Sequence, residues 1–189
     1  MKVRDSGMPE EAAWQGFFDA DGILDALAFT DPRATVVDFG CGYGTFSVAA
    51  ARRTSGTVYA IDIESAMTEA TAARASEFGL GNVETILRDF VAEGTGLPDG
   101  SIDYAMLFNI LHAENPGHLL EEAFRVLRRG GKAAVIHWVH DPATPRGPEL
   151  SIRPPPADCR RWMKKAGFAL PVRHVSLPPY HFGLVGQKP

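Results

Sequence analysis

Short apolar runs alternate along this chain with segments in which apolar residues recur every three or four positions. The runs are typical of buried strands and predict them at residues 35–39, 57–61, 83–87, 102–108 and 132–139. The periodic segments predict helices at residues 45–53, 64–78, 118–129 and 157–166, and Gly130-Gly131 is predicted to end the third of these. This alternation predicts an α/β protein whose mostly parallel sheet is covered by helices on both faces.

The two ends of the chain depart from this alternation. Residues 1–33 predict a helical region that packs on the core, and residues 34–189 form the main domain. Residues 141–156 are rich in proline and therefore predict a loop, long enough to serve as a lid. Val172–Leu177 and Tyr180–Gln187 flank Pro178-Pro179, and two strands joined so closely must be antiparallel.

Composition narrows the classes of protein without naming one. A length of 189 residues suits one domain, and the net charge of −4 argues against nucleic acid as a constitutive partner. No apolar run is long enough to span a bilayer, so we expect no membrane partner. The first residues lack the apolar core of a secretion signal, which predicts a cytoplasmic protein. Cys41 and Cys159 form no motif, and we expect both thiols to be reduced.

Three acids follow or end successive predicted strands and mark the candidate site. Asp38 opens the run Asp38–Gly44, in which three glycines lie between a buried strand and a helix. Asp62 comes twenty residues after Gly42, at the end of the second strand, and Asp89 is predicted to end the third. Glycines at such a turn let the backbone approach a ligand closely, and a carboxylate at this spacing can accept hydrogen bonds from a ribose.

Two classes of cofactor compete for this arrangement. The dinucleotide pattern G-x-G-x-x-G/A matches at Gly40 and Gly42, but its sixth position is Thr45. S-adenosylmethionine carries an ammonium group and no phosphate, which makes an acid at Asp38 acceptable. The residues favour S-adenosylmethionine and leave an NAD(P)-dependent oxidoreductase as the alternative.

Five segments together resemble the successive motifs of class I S-adenosylmethionine-dependent methyltransferases, most closely the subgroup that modifies small molecules and quinones. They are Val36–Phe46, Tyr59–Ile63, Asp89-Phe90, Leu97–Asp103 and Val126–Gly131. The resemblance covers about residues 34 to 139. It implies a three-layer, Rossmann-like methyltransferase fold with seven strands in the order 3-2-1-4-5-7-6 and an antiparallel last strand. It also implies S-adenosylmethionine as cofactor.

The resemblance assigns residues to the methionine end of the cofactor. Gly40 and Gly42 would pack against the methionine part, and Asp38 would lie near its amino group. Cys41 occupies a variable position of the same loop, and we interpret it as a packing residue. Asn109, just past the fourth strand, would bring backbone carbonyl groups towards the ammonium and the sulfonium.

Four further residues are assigned by the resemblance to the adenosine end. Asp62 would bind the ribose hydroxyls, and Ile63 would stack on the adenine. Asp89 would accept from the adenine amino group, while the backbone of Phe90 would contact the ring.

The residues that act on the methyl acceptor are sought where strands four and five end. His112 and His137 lie there, and histidine can take a proton from an acceptor near neutral pH. The alternative is that both are structural. His137 and His140 point to opposite faces of a strand, so we expect no metal site. Arg146 and Arg153 could clamp an anionic acceptor, or they could belong to a solvated loop.

The sequence therefore predicts methyl transfer to a small-molecule acceptor. A module that binds S-adenosylmethionine without catalysis is a further alternative. Either the loop at residues 141–156 closes over the acceptor, or a second copy of the chain completes the site in a homodimer.

Overall fold

The computed structural model of the chain describes residues 16–169 and 173–189. The chain divides into two compact units, one reaching Gly96 and the other beginning at Leu97. Residues 1–15 of the predicted N-terminal helical region lie outside the described part.

The first unit contains three parallel strands and the helices between them. Its elements are α1 (Ala20–Ala26), β1 (Val36–Phe39), α2 (Thr45–Ala51), β2 (Val58–Asp62), α3 (Ser65–Glu77), β3 (Val83–Leu87) and α4 (Phe90–Glu93). β1 pairs with β2 and β2 with β3, both in parallel register. Every residue of β1 and of α2 is buried, and apart from Asp38 in β1 both segments consist of apolar or small side chains.

The second unit combines a parallel strand pair with an antiparallel extension. Its elements are β4 (Ile102–Phe108), α5 (Pro116–Val126), β5 (Leu127–Trp138), a short 3₁₀ helix (Leu150–Ile152), α6 (Pro156–Lys165), β6 (Arg173–Leu177) and β7 (His181–Gln187). β4 and β5 are parallel, whereas β7 runs antiparallel to both β5 and β6. The prediction of an antiparallel final pair is therefore confirmed.

The seven strands follow the order β3-β2-β1-β4-β5-β7-β6. This is the order that the resemblance implies, and the three-layer, Rossmann-like methyltransferase fold is confirmed. Among the described residues, no helix is both long enough and apolar enough to cross a membrane.

The predicted end of the third helix is wrong. α5 stops at Val126, and β5 begins at once with Leu127, so Gly130-Gly131 lies inside a strand. Ile102 pairs with Leu127 and Tyr104 with Lys132, which places four residues of β5 opposite one residue of β4. Such a bulge needs unusual backbone angles, and Gly130 adopts a φ of 79° that suits glycine.

Candidate functional site

The glycine loop, Gly40–Gly44, connects β1 to α2. Gly40, Gly42 and Gly44 have φ values of 76°, 53° and 73°, in the left-handed region where a side chain is strained. The backbone N–H groups of Gly40 and Cys41 both donate to the carbonyl of Ile61, at 2.8 and 3.0 Å. These bonds fix the loop to the end of β2.

Asp62 is joined to the glycine loop directly. The N–H of Gly42 donates to Oδ2 of Asp62 at 2.9 Å, and the N–H of Glu64 donates to Oδ1 at 3.1 Å. The residue is only 5% exposed, and burial raises the pKa of its carboxyl. The spacing of twenty residues seen in the sequence thus corresponds to one buried hydrogen bond. A carboxylate offers about four lone-pair sites, so Asp62 retains capacity for a ligand hydroxyl.

Asp38 is the second buried acid of the first unit. It lies in β1, is 2% exposed, and accepts a 2.6 Å hydrogen bond at Oδ2 from the hydroxyl of Ser47. Burial raises the pKa of this carboxyl to about 7, partly offset by the Ser47 hydrogen bond, while the nearby Asp62 raises it further. A buried carboxylate with so little compensation is receptive to a cation.

Thr71 is a residue that the sequence did not reveal. Its hydroxyl, on the buried face of α3, donates to the carbonyl of Gly42 at 2.9 Å and lies 3.4 Å from the sulfur of Cys41. A side chain at Gly44 would approach Thr71 to 2.9 Å, so the loop and α3 are fitted closely. Burial, and then the Asp38 charge, raise the pKa of Cys41. A thiol held protonated is a poor nucleophile, which agrees with the interpretation of Cys41 as packing.

Asp89 does not end a strand, because β3 stops at Leu87. It caps α4 instead: its Oδ1 accepts from the N–H groups of Val91 and Ala92 at 3.2 and 3.0 Å. Phe90 is buried, with its ring edge-to-face against Phe39 at a centroid distance of 5.7 Å. The sequence placed Asp89 at a strand end, whereas the structure uses its Oδ1 to cap a helix.

Ile63 follows directly on Asp62 and is half-buried. It lies in the segment between β2 and α3, at the carboxyl end of a parallel strand. A partly exposed apolar side chain at this edge can cover the flat face of a ring.

The polar cluster, Asn109, His112 and His137, belongs to the second unit. The N–H of Asn109 donates to the carbonyl of Ile136 at 2.8 Å, which holds Asn109 beside the end of β5. The rings of His112 and His137 meet edge-to-face with centroids 5.6 Å apart. Asn109 has a φ of 58°, a strained conformation that is tolerated more readily by Asn than by most residues.

Five polar atoms of the cluster are buried and have no hydrogen-bond partner among the described residues, although Asn109 and His112 are partly exposed as whole residues. These atoms are both amide atoms of Asn109, Nδ1 of His112 and both ring nitrogens of His137. Burial lowers the pKa of His112, and burial together with the neighbouring His112 lowers that of His137 well below its ordinary value. Both imidazoles are therefore neutral at neutral pH.

The proline-rich loop is organised around Arg153, which is 6% exposed. Its guanidinium donates to the carbonyls of Val139 at 2.9 Å and Pro148 at 2.8 Å, and to the hydroxyl of Thr144 at 2.5 Å. Its own carbonyl lies 2.8 Å from Nδ1 of His140. The residue is thus neither a solvated side chain nor a free anion clamp, because loop atoms already occupy all its nitrogens. The side chain of Arg146 is exposed.

Comparison with known proteins places this geometry in a family. The family described as "Methyltransferase domain" matches residues 36–131. A nocamycin O-methyltransferase from Saccharothrix syringae is 36% identical over 141 residues, which cover 68% of this chain and 49% of that protein. A 2-ketoarginine methyltransferase from Streptomyces arginensis is 35% identical over 115 residues, covering 60% and 34% respectively. The crystal structure of a SAM dependent methyltransferase from Aquifex aeolicus has a TM-score of 0.81 at 24% identity, covering 94% of this chain and 93% of that chain.

The sheet order and the glycine loop define a Rossmann-like protein of the class I S-adenosylmethionine-dependent methyltransferase type. The chain belongs to the methyltransferase domain family. It spans about half the length, or less, of the curated relatives it matches.

Proposed function

We propose that this chain transfers a methyl group from S-adenosylmethionine to a small-molecule acceptor. The observation that carries the proposal is the hydrogen bond from the N–H of Gly42 to Asp62, within a chain of the methyltransferase domain family. It unites a loop open to close backbone approach with an acid suited to a ribose diol. The relatives named above act on a nocamycin and on 2-ketoarginine, which supports a small molecule as acceptor.

The methionine end of the cofactor fits the buried acid in β1. Asp38 has a neutral hydroxyl as its donor, and an ammonium group would compensate its charge far better. Gly40 and Gly42 would lie against the methionine part, with Cys41 packing beneath the loop. Asn109 would turn backbone carbonyl groups towards the ammonium and the sulfonium.

The adenosine end fits the edge of β2 and β3. Asp62 would accept from the ribose hydroxyls with its remaining lone pairs, and Ile63 would cover the adenine. Asp89 would accept from the adenine amino group, and the Phe90 backbone would contact the ring.

The bound cofactor supplies a methyl group activated by its sulfonium. Transfer is an in-line displacement, so the protein contributes chiefly by holding the acceptor in position. We propose that His112 and His137 bind the acceptor and that one of them takes its proton where the accepting atom carries one. Their neutral state leaves a ring nitrogen free to accept that proton.

Calorimetry tests the cofactor and label transfer tests the chemistry. S-Adenosylmethionine and its demethylated product should both bind, while NAD and NADP should give no heat. Tight binding of NAD or NADP without binding of S-adenosylmethionine would contradict the proposal and favour an NAD(P)-dependent oxidoreductase. Binding of S-adenosylmethionine without transfer of labelled methyl to any metabolite would identify a non-catalytic module.

We further propose a cytoplasmic location and two ways of enclosing the acceptor. Cys41 and Cys159 are free and buried, which suits a reducing compartment. The loop at residues 141–156 could act as the lid, or a second copy of the chain could complete the site. Light scattering separates the two, because only the second requires a dimer under assay conditions.

A further inference from the structure

The polar cluster of the second unit has a hydrogen-bonding capacity that the described residues do not use. Asn109, His112 and His137 together present five buried nitrogen and oxygen atoms without a partner. Leaving a buried polar group unpaired is costly, and most such groups in folded proteins have partners, so packing alone does not explain five in one place. A ligand that meets them would recover that cost, which makes the cluster a recognition site.

The charges around the cluster restrict what that ligand can be. The charged or titratable side chains that influence the His137 ring are His112, His181 and Arg153. No carboxylate of the described residues forms a hydrogen bond or ion pair with the unpartnered atoms of Asn109, His112 and His137, so an ammonium group at the cluster would lack a counter-ion. Burial also lowers the pKa of His181, to about 4, so this imidazole too is neutral near pH 7.

An anionic acceptor meets the same obstacle. Among the described residues, the guanidinium whose charge acts on His137 is that of Arg153, and its nitrogens donate to backbone carbonyls and to Thr144. A carboxylate or phosphate would therefore replace its water shell with neutral groups alone, which is costly in a buried site.

We propose that the acceptor is an uncharged compound that offers a hydroxyl group to Asn109, His112 and His137, and that the methyl group is transferred to its oxygen. The inference rests on the proposed function. A hydroxyl both donates and accepts, and it can meet a neutral imidazole and an amide at once. In the reaction the acceptor oxygen bonds to the methyl carbon while the carbon–sulfur bond breaks, its electron pair staying on sulfur. The hydroxyl proton passes to an imidazole nitrogen and then to water.

The first experiment determines the charge and the bond of the product. A metabolite extract is separated by ion exchange into neutral, anionic and cationic pools, and each is incubated with the full chain and labelled S-adenosylmethionine. Label should enter the neutral pool as a methyl ether, which resists alkali. An alkali-labile methyl ester from the anionic pool, or a product retained by a cation exchanger, overturns the inference and leaves the proposed function standing. Binding of the cofactor with no label in any pool overturns the proposed function itself.

A second experiment needs no acceptor. His137→Phe replaces an unpartnered polar ring by an apolar one, so it should raise Tm by about 2–4 °C while cofactor affinity stays unchanged. His137→Leu covers the case in which the larger ring does not fit. His118→Phe, at an exposed histidine of α5, is the matched control and should leave Tm unchanged. A fall in Tm for both His137 variants shows that His137 has a structural partner and overturns the inference.

Discussion

Binding of S-adenosylmethionine should release a proton from Asp38, and Ser47→Ala should move that release to higher pH. The Asp38 carboxyl has a pKa of about 7, which the hydrogen bond from Ser47 holds down against burial. A hydrogen bond to a charged group contributes about 1.5–3 kcal/mol, or about 1–2 pKa units at about 1.4 kcal/mol per unit. The variant should therefore titrate Asp38 about 1–2 pH units higher.

The sign of the effect on affinity follows from the charge of the ligand. The ammonium group favours ionised Asp38, so below the pKa a proton must leave and affinity falls about tenfold per pH unit. Above the pKa of Asp38, this carboxyl no longer contributes to the pH dependence of the affinity. At about pH 7 Ser47→Ala should bind about 5–50-fold more weakly than the unaltered chain, and above about pH 9 the two should converge.

Calorimetry in buffers with different ionisation enthalpies counts the protons released. 5′-Methylthioadenosine, which lacks the ammonium group, should bind without this pH dependence. Ser55→Ala, at an exposed serine of the same unit, should behave like the unaltered chain. If no proton is released between about pH 6 and about pH 8, or if Ser47→Ala does not move the release, the role given to Asp38 is refuted.

The remaining predictions concern binding and stability. Asp62→Ala should weaken cofactor binding by about 1–3 kcal/mol in calorimetry while the protein stays folded, and an unchanged affinity would exclude Asp62 as the ribose ligand. Gly42→Val should be more harmful still, because its φ of 53° strains a branched side chain. Arg153→Lys should lower the free energy of unfolding by about 1–3 kcal/mol, with Arg146→Lys as the neutral control, because an ammonium cannot supply all the N–H donors of the buried guanidinium. Without cofactor, the stabilising contribution of Asp38 should be complete below its ordinary pKa of 3.8 and lost as the pH rises through about 7, measured by thermal unfolding.

The strands of the sheet and the position of Asp62 beside the glycine loop could be predicted, because both are indicated by patterns within short stretches of sequence. Strands 83–87 and 102–108 have the predicted bounds. The second is a largely apolar run between polar segments, and the first begins and ends with apolar residues. Gly42 and Asp62 are joined by a hydrogen bond, and their separation of twenty residues in the sequence is the feature that predicted their proximity. The strand order came from the resemblance, because no pattern within a strand specifies its neighbours.

A glycine pair after a helical pattern is compatible with a helix end or with a β-bulge, and the sequence alone does not distinguish the two. Gly130-Gly131 follows an amphipathic helix, and a glycine with positive φ is the usual end of one. The same conformation serves a bulge, and here Gly130 has a φ of 79° inside β5. The difference is decided by the pairing of Leu127 and Lys132 with β4, which is a contact distant in sequence.

The hydrogen-bonding roles of Arg153 and Thr71 could not be predicted from the sequence, for a common reason. The partners of Arg153 are mainly backbone carbonyls, and that of Thr71 is the carbonyl of Gly42. Every residue has a backbone carbonyl, so a hydrogen bond to one requires no complementary side chain. Such bonds therefore produce no recognisable pattern of charged or polar residues in the sequence. From the sequence, an arginine in a loop is expected to bind an anion or to be solvated, and both expectations assume that its N–H donors are free. In a loop with several prolines, each lacking an N–H, backbone carbonyls outnumber backbone donors. A buried guanidinium supplies five N–H groups at one point, so an arginine in such a loop should first be tested as the donor that folds it.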